Sequence, residues 1–351
     1  MKIVSVLYPA GKLAERYPNL LGCEENALGL REFLKEKGHE YISISDMEEE
    51  LNKHLADTEI LITTPFWPLY VTKDKMDKAP KLRMILTAGV GSDHIDLKAA
   101  RDKKITVAEI TESNVVSVAE HIVMQILILV RNFVPSYKQV LDGKWDIGEI
   151  ASNAHDLENK TVGIIGAGRI GQRVLARLKP FNVKLVYYDF YRLSTAEEIL
   201  FNTNFLTLKE LLSNSDVVSI SCPLTPRTDG LLNKDKLKMM KKGAYIVNTA
   251  RGKIVNTMDL VETLKSGEIG GYAGDVWYPQ PAPKDHPWRK MPNHAMTPHV
   301  SGTTLEAQKR YSDGIKECLN SYFSKQPIER DYLIVENGEV ISPSYSYAFE
   351  E

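Results

Sequence analysis

At 351 residues the chain is too long for one ordinary hydrophobic core and suits about two domains. Its 26% charged and 43% hydrophobic residues are the balance of a globular protein rather than a disordered or fibrous one. With 44 basic against 46 acidic side chains the net charge is −2, which offers no electrostatic case for a nucleic-acid partner or an anionic membrane and makes a small molecule the expected ligand.

The amino terminus, MKIVSVLYPAGK, reads as a first strand and turn, without the basic stretch and long apolar core of a secretion signal. Residues 3–8, 26–37, 41–45, 59–63, 82–88 and 105–110 alternate strand-like apolar runs with amphipathic helix, an α/β pattern with short loops. Residues 114–131 form one long helix, with Ser113 or Asn114 as its cap. Glu120, His121 and Gln125 interrupt its apolar face, so a buried helix is expected there and not a membrane span. A polar stretch at 146–159 then leads into the second half. Three cysteines, Cys23, Cys222 and Cys318, with no CxxC spacing, predict free thiols in a reducing compartment and no metal site. The tail SYAFEE carries no targeting tripeptide, and a cytoplasmic protein is expected.

The second half is organised around residues 161–189, TVGIIGAGRIGQRVLARLKPFNVKLVYYD. An apolar strand runs into Gly166-Ala167-Gly168-Arg169-Ile170-Gly171 and a helix, and a second apolar run ends at Asp189. This is the pattern of a dinucleotide-binding βαβ unit. Gly166 permits the tight turn, Gly168 the approach of a pyrophosphate and Gly171 close packing of the helix, while Asp189 accepts hydrogen bonds from a ribose diol. Helices at 208–213, 234–241 and 258–265 alternate with strands at 217–221, 245–248, one ending at Asp275 and a short run before His299, which makes six strands in all. Residues 303–323 read as a final amphipathic helix that returns to the first domain.

Gly166, Asp189, Pro223, Arg251, Asp275 and His299 each lie just past a strand's carboxyl end, where ligands of open α/β sheets bind. Arg251, in NTARG, offers a planar fork for a carboxylate, although a lone arginine is more often an ordinary surface residue. His39, His54, His94, His121, His155, His286 and His294 take a structural reading; His299, in TPHVSG, is set apart by its strand end. Asp275 taken alone reads equally as a turn or cap residue.

The glycine motif, NTARG, GDVWYPQPAPKDHPWR and TPHVSGTT together resemble the D-2-hydroxyacid dehydrogenases. With ITTPFWP, LTAGVGSDHIDL, TESNVVSVAEH and RNFVP the chain is similar over nearly its whole length to the NAD-dependent formate dehydrogenases. That resemblance implies a Rossmann-type coenzyme domain at 114–300, and a discontinuous flavodoxin-like α/β catalytic domain at 1–113 and 301–351. It implies a homodimer that oxidises formate to carbon dioxide and reduces NAD. Carried over by motif, Arg251 and Asn114 hold the formate oxygens, His299 orients the substrate and Gln280 fixes that histidine. Pro65, Phe66 and Val90 form the apolar wall. Gly166, Gly168, Arg169, Ile170, Gly171, Asp189, Pro223, Thr225, Thr249, Arg251, Asp275, His299 and Ser301 line the cofactor, with Asp275 and Ser301 at the nicotinamide carboxamide. Thr225 stands where many formate dehydrogenases have a histidine, and Phe190 where a residue able to hydrogen-bond is common.

Two other functions fit the same fold. A dehydrogenase of a larger 2-hydroxy acid, such as glycerate or lactate, must remove a hydroxyl proton and wants a histidine poised by a carboxylate. A non-catalytic NAD sensor, like the C-terminal binding protein corepressors, is the second. Both retain Glu where this chain has Gln280, which favours formate.

Overall fold

Residues 1–349 are described by the computed structural model. The short apolar runs become strands β1 Lys2–Val6, β2 Glu40–Ile44, β3 Ile60–Thr63, β4 Met84–Thr87, β5 Thr106–Glu109, β6 Thr161–Ile165 and β7 Lys184–Tyr188. There follow β8 Thr203–Phe205, β9 Val217–Ile220, β10 Ala244–Asn248, β11 Ile269–Gly274, β12 His294–Met296, β13 Leu333–Glu336 and β14 Glu339–Val340. The chain divides into two compact units, one of residues 1–114 with the chain from Gly302 onward, the other Val115–Ser301.

In the first unit the strands order as β14-β13-β5-β4-β3-β1-β2. Strands β1 to β5 are parallel in the order 2-1-3-4-5 of flavodoxin-like folds, and β13 and β14 add an antiparallel edge. Alternate side chains leave opposite faces of each strand, so Val4, Val6 and Ile85 pack into one core while Ile3, Met84 and Leu86 pack into another. The helix Leu305–Phe323 presents Tyr311, Ile315, Cys318 and Leu319 to the second of these cores. Its return to the first unit makes that unit discontinuous.

In the second unit all pairings are parallel and the order is β12-β11-β10-β9-β6-β7-β8. Counted within the unit this is 3-2-1-4-5-6-7, the Rossmann order with one added edge strand. The helix Arg169–Leu178 buries Gly171, Val174, Leu175 and Leu178, the spacing of one helical face. The helix Val115–Val130 covers the same side of the sheet through Val118, Ala119, Ile122 and Ile126. Among the described residues no single helix is long and apolar enough to cross a membrane.

Several expectations need correction. The second sheet has seven strands, not six, because the edge strand Thr203–Phe205 is only three residues long and gives no periodic signal. The expected helix at 26–37 begins at Arg31, since Ala27, Leu28 and Gly29 take left-handed φ of 50°, 54° and 59°. Two further helices, Phe133–Leu141 and Ile147–Ala151, occupy the segment after the long helix, and the second lies inside the stretch read as merely polar. Neither expected cap serves the Val115–Val130 helix through its side-chain oxygen. The Ser113 hydroxyl donates to the Ile110 carbonyl at 2.7 Å, and Asn114 Oδ1 is buried and accepts no hydrogen bond.

The seams fall one residue from the expected boundaries. Asn114 belongs with the first unit, where its side chain fills the space that a Cβ on Gly302 would need. Ser301 belongs with the second, where its N–H donates to Asp275 at 2.7 Å.

Candidate active site

The carboxyl end of β6 runs into the glycine turn. Gly166 has φ 97°, and a Cβ there would strike the Cys222 backbone; a Cβ on Gly171 would overlap the Gly166 carbonyl. Around Gly168 there is open space on the side where a Cβ would project, and the helix that begins at Arg169 has no side-chain cap. Its first N–H groups are therefore left for an anion such as a pyrophosphate. Arg169 is exposed at this helix start, whereas the Ile170 side chain packs into the core behind it.

Asp189, at the end of β7, is fixed against the same turn. Its Oδ2 accepts from the Ala167 N–H at 2.7 Å and its Oδ1 from the Tyr191 N–H at 3.1 Å. Each carboxylate oxygen keeps a lone pair for a ribose hydroxyl. Phe190 is exposed beside it, with the Arg227 guanidinium 5.8 Å above its ring. Thr225 is committed to the turn after β9: its hydroxyl oxygen accepts from the Arg227 and Thr228 N–H groups at 3.0 and 3.1 Å, while Thr228 Oγ1 donates to the Pro223 carbonyl at 2.7 Å. The thiols offer no nucleophile, since burial pushes both Cys222 and Cys318 up to about 12 and also raises Cys23.

Three strand ends of the second unit meet around Asp275. This residue is fully buried, and it ties down the loop that carries the histidine. Its Oδ1 accepts from Thr297 Oγ1 at 2.6 Å and the Val300 N–H at 2.8 Å, and its Oδ2 accepts from the Ser301 N–H at 2.7 Å. His299, at φ 56°, is held in a left-handed conformation that this surrounding network imposes. Its Nδ1 lies 2.7 Å from Gln280 Nε2 and 2.9 Å from Gln280 Oε1. A neutral amide can thus donate to an unprotonated Nδ1 or accept from a protonated one.

Arg251 stands three residues past β10, where Asn248 shapes the turn: its amide donates to the Arg251 carbonyl at 2.9 Å and accepts from the Ala250 N–H at 3.0 Å. Arg251 Nη1 donates to the Ala250 carbonyl at 2.7 Å, and Thr249, two residues earlier, is buried. A Cβ on Gly252 would collide with the Trp277 carbonyl, so this turn packs directly on the segment leading to Gln280.

The first unit gathers the apolar candidates by itself. A Cβ on Gly89 would touch Pro65 and Phe66 at 2.9 and 3.1 Å, which sets the Gly89-Val90-Gly91 loop against that pair. Phe66 is 8% exposed and Val90 half-buried. Asn114 is buried in the same unit, at the end of the segment that follows β5.

Residues 123–301 match the model of the D-isomer specific 2-hydroxyacid dehydrogenase NAD binding domain. The chain is 53% identical over 348 residues to the mitochondrial formate dehydrogenase of Solanum tuberosum, covering 98% of this chain and 91% of that one. Among solved structures, a Granulicella formate dehydrogenase superposes with a TM-score of 0.94 at 44% identity, over 97% of this chain and 100% of that one. The NAD complex of Staphylococcus aureus NAD-dependent formate dehydrogenase gives 0.90 at 50% identity, over 95% and 99%. The chain belongs to the formate dehydrogenases, within the D-2-hydroxyacid dehydrogenase family.

In this formate dehydrogenase two of the histidines given a structural reading, His121 and His286, hold the segments that carry the candidate residues, which their sequence positions alone did not specify. His121 Nε2 lies 3.3 Å from Thr297 Oγ1, the hydroxyl that donates to Asp275, so the imidazole supplies the N–H of that contact. Burial holds His121 below the usual imidazole range, against a smaller pull from Asp275. Its position as an interruption of an apolar helix was the available signal. His286 Nε2 donates to the Tyr278 carbonyl at 3.0 Å while its Nδ1 accepts from the Trp288 N–H at 3.2 Å, which braces the loop bearing Gln280. The cluster of aromatics in DVWYPQPAPKDHPWR marked that loop as packed.

Proposed function

We propose that this enzyme oxidises formate to carbon dioxide by direct hydride transfer to NAD. The observation that carries the reading is the pairing of His299 with the neutral amide of Gln280, where proton-removing relatives place a carboxylate. Bound NAD supplies the hydride acceptor. Everything else falls to the chain: the glycine turn and helix start hold the pyrophosphate, Asp189 holds the adenosine ribose, and Asp275 fixes Ser301 and His299 beside the nicotinamide.

Formate is an anion that loses its charge as the hydride leaves. Arg251 clamps the two carboxylate oxygens through its planar fork, and the Asn114 amide, which is not engaged as a helix cap, adds a neutral donor. His299 donates from Nε2 when Gln280 donates to Nδ1. Pro65, Phe66 and Val90 exclude water, so the charge loss of the transition state is favoured over the solvated ground state. No hydroxyl proton has to be removed, which is why a neutral Gln280 suffices. Mixing enzyme, NAD and formate should raise absorbance at the NADH band, while glycerate and lactate leave it unchanged. Reduction with the hydroxy acids but not with formate would transfer the enzyme to the wider family.

Cofactor choice rests on Asp189, whose charge repels the 2′-phosphate of NADP. Changing Asp189 to Ser should narrow the preference for NAD by at least about tenfold, roughly 1.4 kcal/mol. Equal kcat/KM ratios for the two cofactors in parent and variant would show that the ribose is held elsewhere.

We further infer that the enzyme works as a homodimer through the helices Phe133–Leu141 and Ile147–Ala151. Phe133, Tyr137, Val140, Leu141, Trp145 and Ile147 are between 53% and 84% exposed, an apolar surface that water does not favour. A second copy of the chain is the partner proposed for it, and light scattering that returned the mass of one chain would remove this assignment.

A further inference from the structure

The loop that carries Val90 has little stiffness of its own. Gly89 and Gly91, on either side, take φ of 142° and 104°, so the backbone of Val90 is placed by what holds its neighbours. What holds them is a buried polar cluster reaching across the first unit. Glu109, the last residue of β5, accepts at one oxygen, Oε2, from the Gly91 N–H at 2.8 Å and from Ser92 Oγ at 3.0 Å. Ser92 Oγ in turn accepts from Thr87 Oγ1 at 2.8 Å.

The remaining member comes from the far end of the sequence. Tyr345, in the helical turn Pro343–Phe349, is 7% exposed. Its phenol donates to Glu109 Oε2 at 2.8 Å and accepts from the Ser92 N–H at 2.9 Å. Burial pushes this phenol well above its ordinary range, so it remains a donor. One hydroxyl therefore satisfies two buried groups at once. Without it the Ser92 N–H loses its acceptor and the carboxylate loses a donor in a place that water does not reach.

We propose that Tyr345 is a positioning residue for formate oxidation: through Glu109 and Ser92 it holds the Gly89-Val90-Gly91 loop in place and so sets the apolar wall against which the formate carbon sits. Glu109 also begins the segment that leads, five residues on, to Asn114. The C-terminal segment thereby steadies two of the groups assigned to the substrate. The proposal rests on the reading that Val90 borders the formate, and that reading is checked first by the parent enzyme's own formate oxidation.

Removal of the hydroxyl in Tyr345→Phe tests it. The variant should lower kcat/KM for formate by about tenfold, less than the ~100-fold that a full ångström of misplacement can cost, while its Kd for NAD stays within about twofold of the parent. A residue that merely supports folding would not select formate in this way. The deciding step is a double-mutant cycle with Val90→Ala: if Tyr345 acts through Val90, the double variant should be little worse than Val90→Ala alone. Should Tyr345→Phe not bind NAD, Ser92→Ala loosens the same loop from the other side and carries the same cycle. A parent that oxidises formate together with a Tyr345→Phe variant of parent-like kcat/KM, or with losses that add to those of Val90→Ala, overturns the inference and leaves the proposed reaction standing.

Discussion

Replacing Arg251 by lysine is expected to lower kcat/KM for formate by 100-fold or more, about 2.7 kcal/mol of transition-state stabilisation, with NAD binding retained. Lysine keeps the positive charge but offers a single rotating ammonium in place of a planar fork. The turn that carries Arg251 is built by Asn248 and packed by Gly252 on the Trp277 carbonyl, and the guanidinium adds one bond of its own to that backbone, from Nη1 to the Ala250 carbonyl. The loss should appear chiefly in formate kinetics, with a smaller effect on stability from the lost bond to the Ala250 carbonyl. Near-parental turnover in the variant would show that formate is held by another group.

Changing Gln280 to Glu should introduce an acidic limb into a pH–rate profile that is otherwise nearly flat between about pH 6 and 9. The carboxylate would stand where the amide now lies 2.7 to 2.9 Å from His299 Nδ1. A negative charge at that distance stabilises the imidazolium and so raises the pKa of the histidine in the variant. Below that raised value the imidazolium holds the formate anion more tightly, but the attraction fades as the anion gives up its charge in the transition state. Turnover should thus fall as the pH drops through the new pKa and recover above it. In the parent no group changes charge to accept a proton from the substrate. A tenfold fall across a limb near pH 7 in the parent would instead show a titrating base and favour a hydroxyacid substrate.

The parts of this enzyme that were legible from its residues are those where one backbone requirement admits one residue type. Gly166 and Gly171 announce the turn because a Cβ at either position would strike backbone atoms, and Asp189 lies against that turn through the Ala167 N–H. The α/β alternation was equally plain, since buried parallel strands such as Val217–Ile220 read as short apolar runs, broken there only by Ser219. What escaped notice depends on partners far away in sequence. Asp275 was taken to face the nicotinamide, yet its carboxylate also ties down Thr297, Val300 and Ser301, and nothing in its neighbouring residues announces that. Asn114 precedes an apolar helix as a cap would, and only its orphaned Oδ1 separates it from one. Tyr345 and Glu109 are 236 positions apart and carry no pattern in common.

The central claim is that hydride passes directly from formate to NAD without a proton-removing step, and deuterated formate tests it most directly. Enzyme, NAD and [2H]formate in ordinary water should yield NADH that carries deuterium at the nicotinamide C4 position, at a rate slowed by a primary isotope effect when chemistry limits turnover. NADH free of deuterium at that carbon would contradict the account, because the transferred hydrogen would then have come from solvent.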